Sequence, residues 1–142
     1  MAYGQDFNGY SHIALLDIEY ENNIVDKYQI SPTVINFFQK KGFKTLRLAN
    51  NIEPYDGSFS ENICRTLFIE VVHSKPKVGP TSVSFNLFNC NGQIFLKFSE
   101  TGMSFTPKSG IQRGVKKILK KINKRIGKYK FDSKKTPILE ND

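Results

Sequence analysis

The two cysteines have the most specific chemistry of any residues in this chain of 142 residues. Cys64 and Cys90 are the only two cysteines, and such a pair can be bridged when the Cα atoms lie about 5.5 Å apart. Directly opposite residues on neighbouring antiparallel strands have that spacing. The strand register that we expect for residues 63–99 places the two cysteines opposite each other. We therefore expect a disulfide if the protein is exported and two reduced thiols if it is cytosolic.

The sequence offers little for metal binding or catalysis. Only His12 and His73 could join the cysteines as metal ligands, and neither a C-x-x-C nor an H-x-x-x-H spacing occurs. Asp17 and Glu19 share a strand face, but paired exposed carboxylates of this kind are typical of a solvated surface. Nucleophile-elbow and glycine-rich phosphate-binding motifs are absent. We predict that the protein is not an enzyme and holds no cofactor and no metal.

Positive charge is concentrated near the C-terminus. The formal net charge is +8, but residues 108–142 alone hold twelve Lys/Arg against three Asp/Glu, whereas residues 1–107 are nearly neutral. Six cations fall on one side of a predicted helix and could contact phosphate or anionic lipid: Lys116, Lys117, Lys120, Lys121, Lys124 and Arg125. The alternative is that these cations are only the solvated side of a helix that packs on a sheet.

The stretch 63–99 predicts three antiparallel strands. Asn91-Gly92 indicates a two-residue hairpin turn, which sets Leu87 opposite Leu96. A second connection, centred near Lys77, sets Leu67 opposite Leu87. Both turns predict the same buried row: Leu67, Ile69, Val71, Val83, Phe85, Leu87, Ile94, Leu96 and Phe98. The other face is more mixed: Cys64, Thr66, Phe68, Glu70, Ser84, Asn86, Phe88, Cys90 and Lys97. One apolar and one mixed face predict helices on one side only.

The remaining elements follow from local signals. Residues 12–20 are typical of a central strand, and residues 43–48 alternate as a second strand. Between them, Ser31 as N-cap and Pro32 as the first helical residue predict a helix that ends at Gly42. A loop is expected over 49–62. The fold class is therefore α+β: a two-layer sandwich of a mostly antiparallel five-stranded sheet with two helices on one face, in the order β-α-β-β-β-β-α.

The last helix has the clearest periodicity. It is expected to begin at Thr106-Pro107 or at Ser109-Gly110 and to end at Gly127. Six aliphatic residues recur at helical spacing and predict the side that packs on the sheet: Ile111, Val115, Ile118, Leu119, Ile122 and Ile126.

Length and composition indicate one soluble domain. We expect a loose lead-in over 1–11, a single domain over 12–129 and a mobile tail over 130–142. No run approaches the roughly 20 apolar residues of a membrane span, so no transmembrane segment is predicted. No signal peptide is recognised at the N-terminus. The expected location is periplasmic or secreted if the native precursor carries a signal peptide, and cytoplasmic otherwise.

Three motifs in the sequence are similar to those of known proteins. They are F-x-x-K-G-F after the first helix, L-F-N-C-N-G-Q-I-F around the hairpin, and the closing G-M-S-F with V-K-K-I-L-K-K-I. Over roughly residues 10–132 the chain resembles small uncharacterised exported proteins of Bacteroidetes-type bacteria. Its element order is similar to accessory domains of periplasmic lipoproteins, such as TolB N-terminal-like and CsgG-like modules. The resemblance implies an exported accessory domain and carries over no catalytic residue.

These observations favour a non-enzymatic, envelope-associated or secreted binding domain with an unknown protein partner. The mixed sheet face, with Phe68 and Phe88, and the basic helix are the expected binding surfaces. The alternative is a protein that binds nucleic acid or an anionic membrane surface through the six cations of the C-terminal helix.

Overall fold

The structure is a computed structural model that describes residues 7–16, 29–48, 61–74, 79–104 and 106–135. Five strands and two helices follow one another as β1 (His12–Leu16), α1 (Ile30–Lys41), β2 (Lys44–Leu48), β3 (Thr66–His73), β4 (Gly79–Phe88), β5 (Ile94–Ser104) and α2 (Pro107–Ile126). Short 3-10 turns cover Phe7–Gly9 and Ile63–Arg65. The element order and the α+β class are as the sequence predicts.

The sheet is mixed, whereas the sequence predicted a mostly antiparallel one. Its strand order is β2-β1-β3-β4-β5, and β1 pairs in parallel with both β2 and β3. The pairs β3–β4 and β4–β5 are antiparallel. The difference arises because α1 connects β1 to β2 as a crossover, and a strand that follows a crossover helix returns parallel to the first. The prediction that β1 is an interior strand is correct for its described residues.

The β4–β5 register is confirmed up to a β-bulge. Phe85 lies opposite Phe98 and Leu87 opposite Leu96, as expected, but the register shifts between Leu87 and Phe88. An extra residue on one strand reverses which side chains face the core. Ile94, predicted to be buried, is consequently 55% exposed, and Phe95 is buried at 7%.

The β3–β4 register differs from the prediction by two residues. Ile69 lies opposite Leu87 and Val71 opposite Phe85, because the connection is centred one residue later than expected. Since side chains alternate with a period of two, a two-residue shift leaves every residue on its predicted face. The apolar row of β3 and β4 is accordingly buried: Leu67, Ile69, Val71, Val83, Phe85 and Leu87.

Helix α1 begins differently from the prediction. Its N-cap is Gln29, in the left-handed region at φ 55°, and the helix starts at Ile30 rather than after Ser31. Two contacts to α2 hold Gln29: its carbonyl oxygen accepts from the Gln112 amide and its side chain from Lys108, both at 3.3 Å. Tertiary contacts, rather than a capping side chain, therefore define this end. The predicted stop at Gly42 is confirmed by its φ of 108°.

Helix α2 agrees with the first of its two predicted starts. Thr106 is the N-cap and accepts a hydrogen bond from the Ser109 amide at 3.3 Å, and Pro107 opens the helix. Gly127 is the C-cap, as expected. All six predicted aliphatic residues are buried: Ile111, Val115, Ile118, Leu119, Ile122 and Ile126. Helix α2 packs on β4 and β5, and α1 packs on β1 and β2. No helix among the described residues is long and apolar enough to cross a membrane.

The described residues of the predicted N-terminal lead-in and of the predicted C-terminal tail pack against the domain. Phe7 and Tyr10, expected in a loose lead-in, are buried, and both rings meet Phe95 edge to face. Residues 7–11 are therefore not a loose lead-in. The sequence did not indicate this packing, because Phe95 faces the core only as a result of the β-bulge in the β4–β5 pair. At the other end, the Lys130 and Asp132 amides donate to Asn8. Residues 1–6 and 136–142 lie outside the described residues, as do 17–28, 49–60, 75–78 and 105.

Candidate functional site

The two cysteines lie at disulfide-bonding distance, but neither is in a strand. Cys64 belongs to the 3-10 turn before β3, and Cys90 to the turn between β4 and β5, with Cα atoms 5.0 Å apart. The predicted proximity of the two cysteines is confirmed, whereas their predicted position on opposite strand residues is wrong. The two-residue register shift moves Cys64 beyond the end of the ladder, so the pair links the entrance of β3 to the β4–β5 turn.

The turn between β4 and β5 is held by the side chain of Asn89. Its Oδ1 accepts from the backbone amides of Asn91 (2.9 Å) and Gln93 (3.0 Å), and its carbonyl oxygen accepts from Gly92 at 3.0 Å. Gly92 has φ 77°, whereas Asn91 has a negative φ. The hairpin is therefore confirmed, but it is a longer turn that closes on a left-handed glycine, not the predicted two-residue turn. Asn89 is buried, and it fixes the position of Cys90.

Arg65, next to Cys64, holds the two ends of the described chain together. Its guanidinium donates to the carbonyl oxygens of Gly9 and Ser133, both at 3.0 Å, and to that of Lys135. The same group lies 5.7 Å from the centre of the Phe131 ring. Sequence reasoning missed this role because the partners are backbone atoms far apart in the chain.

Two tyrosines near this point have shifted pKa values. Burial raises the pKa of Tyr10 to about 12, although the charge of Arg65 opposes the shift. Burial also raises the pKa of Tyr129 to about 12, and its hydroxyl donates to the Tyr10 carbonyl oxygen at 2.5 Å. Both phenols stay protonated at neutral pH and act in packing.

The structure keeps the two histidines apart. His12 is buried on β1 with its Nδ1 2.5 Å from the Ser11 hydroxyl, and His73, at the far end of β3, has its Nδ1 3.0 Å from the Ser74 carbonyl oxygen. Within the described ranges, no group of three His, Cys, Asp or Glu residues could hold a metal ion. The carboxylates of Asp17 and Glu19 lie outside the described residues.

One face of the sheet is not covered by either helix. On it, Phe68 lies opposite Phe88, with the rings stacked at 6.2 Å and 14°. Ile94, which lies opposite Phe88, is 55% exposed, and Val72, further along β3 on the same face, is 51% exposed. We call this surface the open face, and its members are Phe68, Glu70, Val72, Ser84, Asn86, Phe88, Ile94, Lys97 and Ser99. It combines exposed apolar groups with hydrogen-bonding groups.

The polar groups of the open face are partly paired with each other. The Asn86 amide donates to the Glu70 carboxylate at 3.0 Å, and the hydroxyls of Ser84 and Ser99 are 2.9 Å apart. These cross-strand pairs hold polar side chains flat against the sheet. The two stacked phenylalanines beside them are each half-buried.

The six predicted cations of α2 are all exposed, but they divide into three pairs. Lys117 donates to the Thr101 carbonyl oxygen at 2.9 Å, and Lys121 forms an ion pair with Glu100. The hydrogen bond from Lys121 lowers the pKa of the Glu100 carboxyl. Lys116 and Lys120 lie on another side of the helix and face α1, while Lys124 and Arg125 follow in the last turn.

Lys116 and Lys120 line a groove of about 510 Å³ between the two helices. We call it the inter-helix groove, and its lining residues are Phe37, Lys40, Lys41, Lys116, Leu119, Lys120 and Asn123. The Lys41 ammonium lies 5.8 Å from the centre of the Phe37 ring. Lys40 and Lys41 were not predicted as site residues. In the sequence they are the polar end of α1, and only helix packing brings them beside α2.

Comparison with known proteins shows the fold. No protein-family model and no curated protein matches the chain. Among solved structures, a PelC variant described as a dodecamer from Paraburkholderia phytofirmans is similar with a TM-score of 0.53 and 16% identity, covering 82% of this chain and 88% of that one. A second PelC dodecamer from the same organism gives a TM-score of 0.52 and 13% identity, covering 82% and 89%. At these identities the likeness concerns the fold alone.

These neighbours correct the resemblance drawn from the sequence. The assignment to Bacteroidetes-type exported proteins with TolB N-terminal-like or CsgG-like modules is wrong, because the structural likeness is to PelC of Paraburkholderia. The motifs behind that assignment are turns and core positions: the glycine stop of α1, the Asn89–Gln93 turn and the packed side of α2. Such positions are required by the fold, so they do not distinguish one family from another.

Proposed function

We propose that the protein is a non-enzymatic interaction domain that binds a protein partner through the open face. The observation that carries the proposal is the stacked pair of Phe68 and Phe88, with the exposed Ile94 opposite Phe88 and the exposed Val72 further along β3 on the same face. Aromatic side chains surrounded by polar groups are the usual composition of a protein-binding surface. Among the residues that the structure describes, the two histidines lie far apart and do not form a shared catalytic site.

We further propose that the domain is envelope-associated or secreted. The support is the position of Cys64 and Cys90, whose Cα atoms are 5.0 Å apart. Structural disulfides persist in oxidising compartments and are rare in the cytosol. A bridge here would hold the β4–β5 turn, and with it Ile94 at the rim of the open face, against the entrance of β3.

A second copy of this chain is the first partner to test. The two PelC neighbours are described as dodecamers, which is a property of those proteins. For this chain, the open face offers apolar side chains together with one carboxylate, Glu70, and one ammonium group, Lys97, on the same sheet. A surface that carries both signs can pair with a copy of itself across a two-fold axis.

The test is the molar mass of the full chain by light scattering and sedimentation. The expected result is a concentration-dependent oligomer that becomes a monomer in the Phe68→Ser/Phe88→Ser variant, with the circular dichroism spectrum unchanged. The matched control is Lys124→Gln/Lys128→Gln, which alters exposed residues away from the sheet and should leave the oligomer intact. A monomeric wild type would rule out self-association, and an oligomer that survives removal of both phenylalanines would show that the open face is not its interface.

A second candidate function is binding to nucleic acid or to an anionic membrane surface through α2. Exposure of all six cations supports it, and Lys40 and Lys41 of α1 add to the same positive surface. Because Lys117 and Lys121 already contact Thr101 and Glu100, replacing them should weaken binding less than Lys116→Gln/Lys120→Gln. A salt titration against duplex DNA, RNA and anionic vesicles tests this candidate. No binding at low salt would reject it.

A further inference from the structure

The inter-helix groove combines an apolar floor with a rim of ammonium groups. We propose that it binds a small amphiphilic anion, meaning a molecule with one acidic headgroup and an apolar body. The proposal goes beyond the open-face interaction, because the groove lies between the helices on the opposite layer of the fold. It also differs from binding to an extended anionic surface, which needs exposed cations but no apolar floor.

The floor consists of the half-buried Phe37 and the nearly buried Leu119. Phe37 is half-buried on α1, where its ring meets Phe38 edge to face at 5.0 Å. Leu119 of α2 is 7% exposed, one residue after the fully buried Ile118. Both side chains are held by the core beneath them, so the floor exists before any ligand arrives. Covering it would remove apolar surface from water without ordering new side chains.

Four lysines from two helices line the groove. Lys116 and Lys120 are one helical turn apart on α2, and Lys40 and Lys41 are in the last turn of α1. Of the described residues that line the groove, none is acidic. An anion in the groove would therefore meet several positive charges and no negative one.

The lysines next to Lys116 and Lys120 in the sequence have different surroundings. Lys117 and Lys121, each one residue further along α2, point away from the groove and contact Thr101 and Glu100 of β5. Among the residues that the structure describes, no carboxylate pairs with Lys116 or Lys120. The chain therefore engages Lys117 and Lys121 in internal contacts, of which only the second is with a carboxylate, and leaves the row beside the apolar floor available to an external anion.

The size of the groove favours a small molecule. Its volume of about 510 Å³ lies within the range of roughly 300–1,000 Å³ that is usual for ligand pockets. The groove is open along one side, so an elongated apolar body can lie over Phe37 and Leu119. The headgroup then remains at the rim, where the flexible lysine side chains and the Asn123 amide can reach it.

The test uses the full chain with the anionic fluorophore anilinonaphthalene sulfonate, and with dodecanoate as a competitor below its micelle concentration. We expect saturable fluorescence enhancement that dodecanoate reverses. Lys116→Gln/Lys120→Gln should weaken binding about fivefold, whereas the matched control Lys117→Gln/Lys121→Gln should change it less than about twofold. Phe37→Gln should also weaken binding, because it removes part of the apolar floor.

A further variant and further competitors distinguish this proposal from the alternatives. The Phe68→Ser/Phe88→Ser variant should bind the fluorophore as the wild type does; loss of binding there would place the dye on the open face and overturn the proposal. Displacement by inorganic phosphate as effective as that by dodecanoate would also overturn it, as would equal losses in the two lysine variants. Binding of anionic vesicles without displacement of the fluorophore by dodecanoate would assign the cations to a surface instead.

Discussion

A Cβ atom on Gly102 would lie 1.8 Å from the carbonyl oxygen of Gly110, so β5 and α2 meet backbone to backbone. The contact continues along the helix, where a Cβ on Gly114 would lie 3.1 Å from a methyl group of Val83. Beside it, the buried Thr81 hydroxyl donates to the Gly102 carbonyl oxygen at 3.2 Å. The position of α2, and therefore of the inter-helix groove, depends on these small residues.

Replacement of Gly102 by alanine should destabilise the fold by about 3 kcal/mol, because neither backbone can yield without moving the helix. Chemical denaturation monitored by circular dichroism measures the change. Gly92→Ala is the matched control: its Cβ would meet nothing within 4 Å, and only the strain of φ 77° remains, at a cost of about 1 kcal/mol. Equal losses in the two variants would show that the close approach does not constrain α2.

The cysteine pair gives a second prediction. Protein purified without reductant should contain no titratable thiol under denaturing conditions. Cys64→Ser/Cys90→Ser should lower the free energy of unfolding by about 3 kcal/mol, because the bridge closes a loop with a sequence separation of 26. Wild-type protein treated with reductant is the control and should match the double variant. Two titratable thiols in the untreated protein would contradict both the bridge and the proposed oxidising location.

The sequence was sufficient for much of the fold because local signals act within single elements. The buried side of α2 and the stops at Gly42 and Gly127 were predictable, and Thr106 belonged to one of the two predicted starts of α2. The faces of β3 and β4 were also predictable although the pairing was off by two residues, because a two-residue error does not change the face.

What the sequence missed depends on contacts between distant residues. The β-bulge places Phe95 in the core and Ile94 in solvent. The sequence does not indicate which of the two is buried, because both residues are apolar. The parallel pairing of β3 with β1 depends on how the chain returns after β2. The candidate groove combines Lys40 with Lys116, and their proximity arises only from the packing of α1 beside α2. The six α2 cations were predictable as a group, but their division between Glu100 and the groove was not.

A third prediction concerns Arg65 as the anchor of the C-terminal segment. Arg65→Gln should remove the hydrogen bonds to Gly9 and Ser133 and speed amide hydrogen exchange at Asp132, whose amide bonds to the Asn8 carbonyl oxygen. Global stability should fall by only about 1 kcal/mol, because most of these bonds are exposed to water. Lys134→Gln is the control and should leave exchange unchanged. Unaltered exchange at Asp132 in the Arg65 variant would show that the anchor lies elsewhere.

Alkaline pH should destabilise the protein through Tyr10 and Tyr129. Burial raises both pKa values from 10 to about 12, so the folded state binds protons that the unfolded state has already lost. A raised pKa means that the associated stability is complete below pH 10 and is lost as pH rises towards 12. Denaturant midpoints measured across this window, together with tyrosinate absorbance, test the sign and the range.

Two matched variants assign the alkaline effect. Within the described part of the chain, the buried Tyr10 hydroxyl has no hydrogen-bond partner, so Tyr10→Phe should be neutral or stabilising at neutral pH and should reduce the alkaline loss. Tyr129→Phe should instead cost about 1 kcal/mol at neutral pH, because it removes the bond to the Tyr10 carbonyl oxygen. If both variants keep the full alkaline loss, other groups cause it, and burial of the two phenols does not control stability above pH 10.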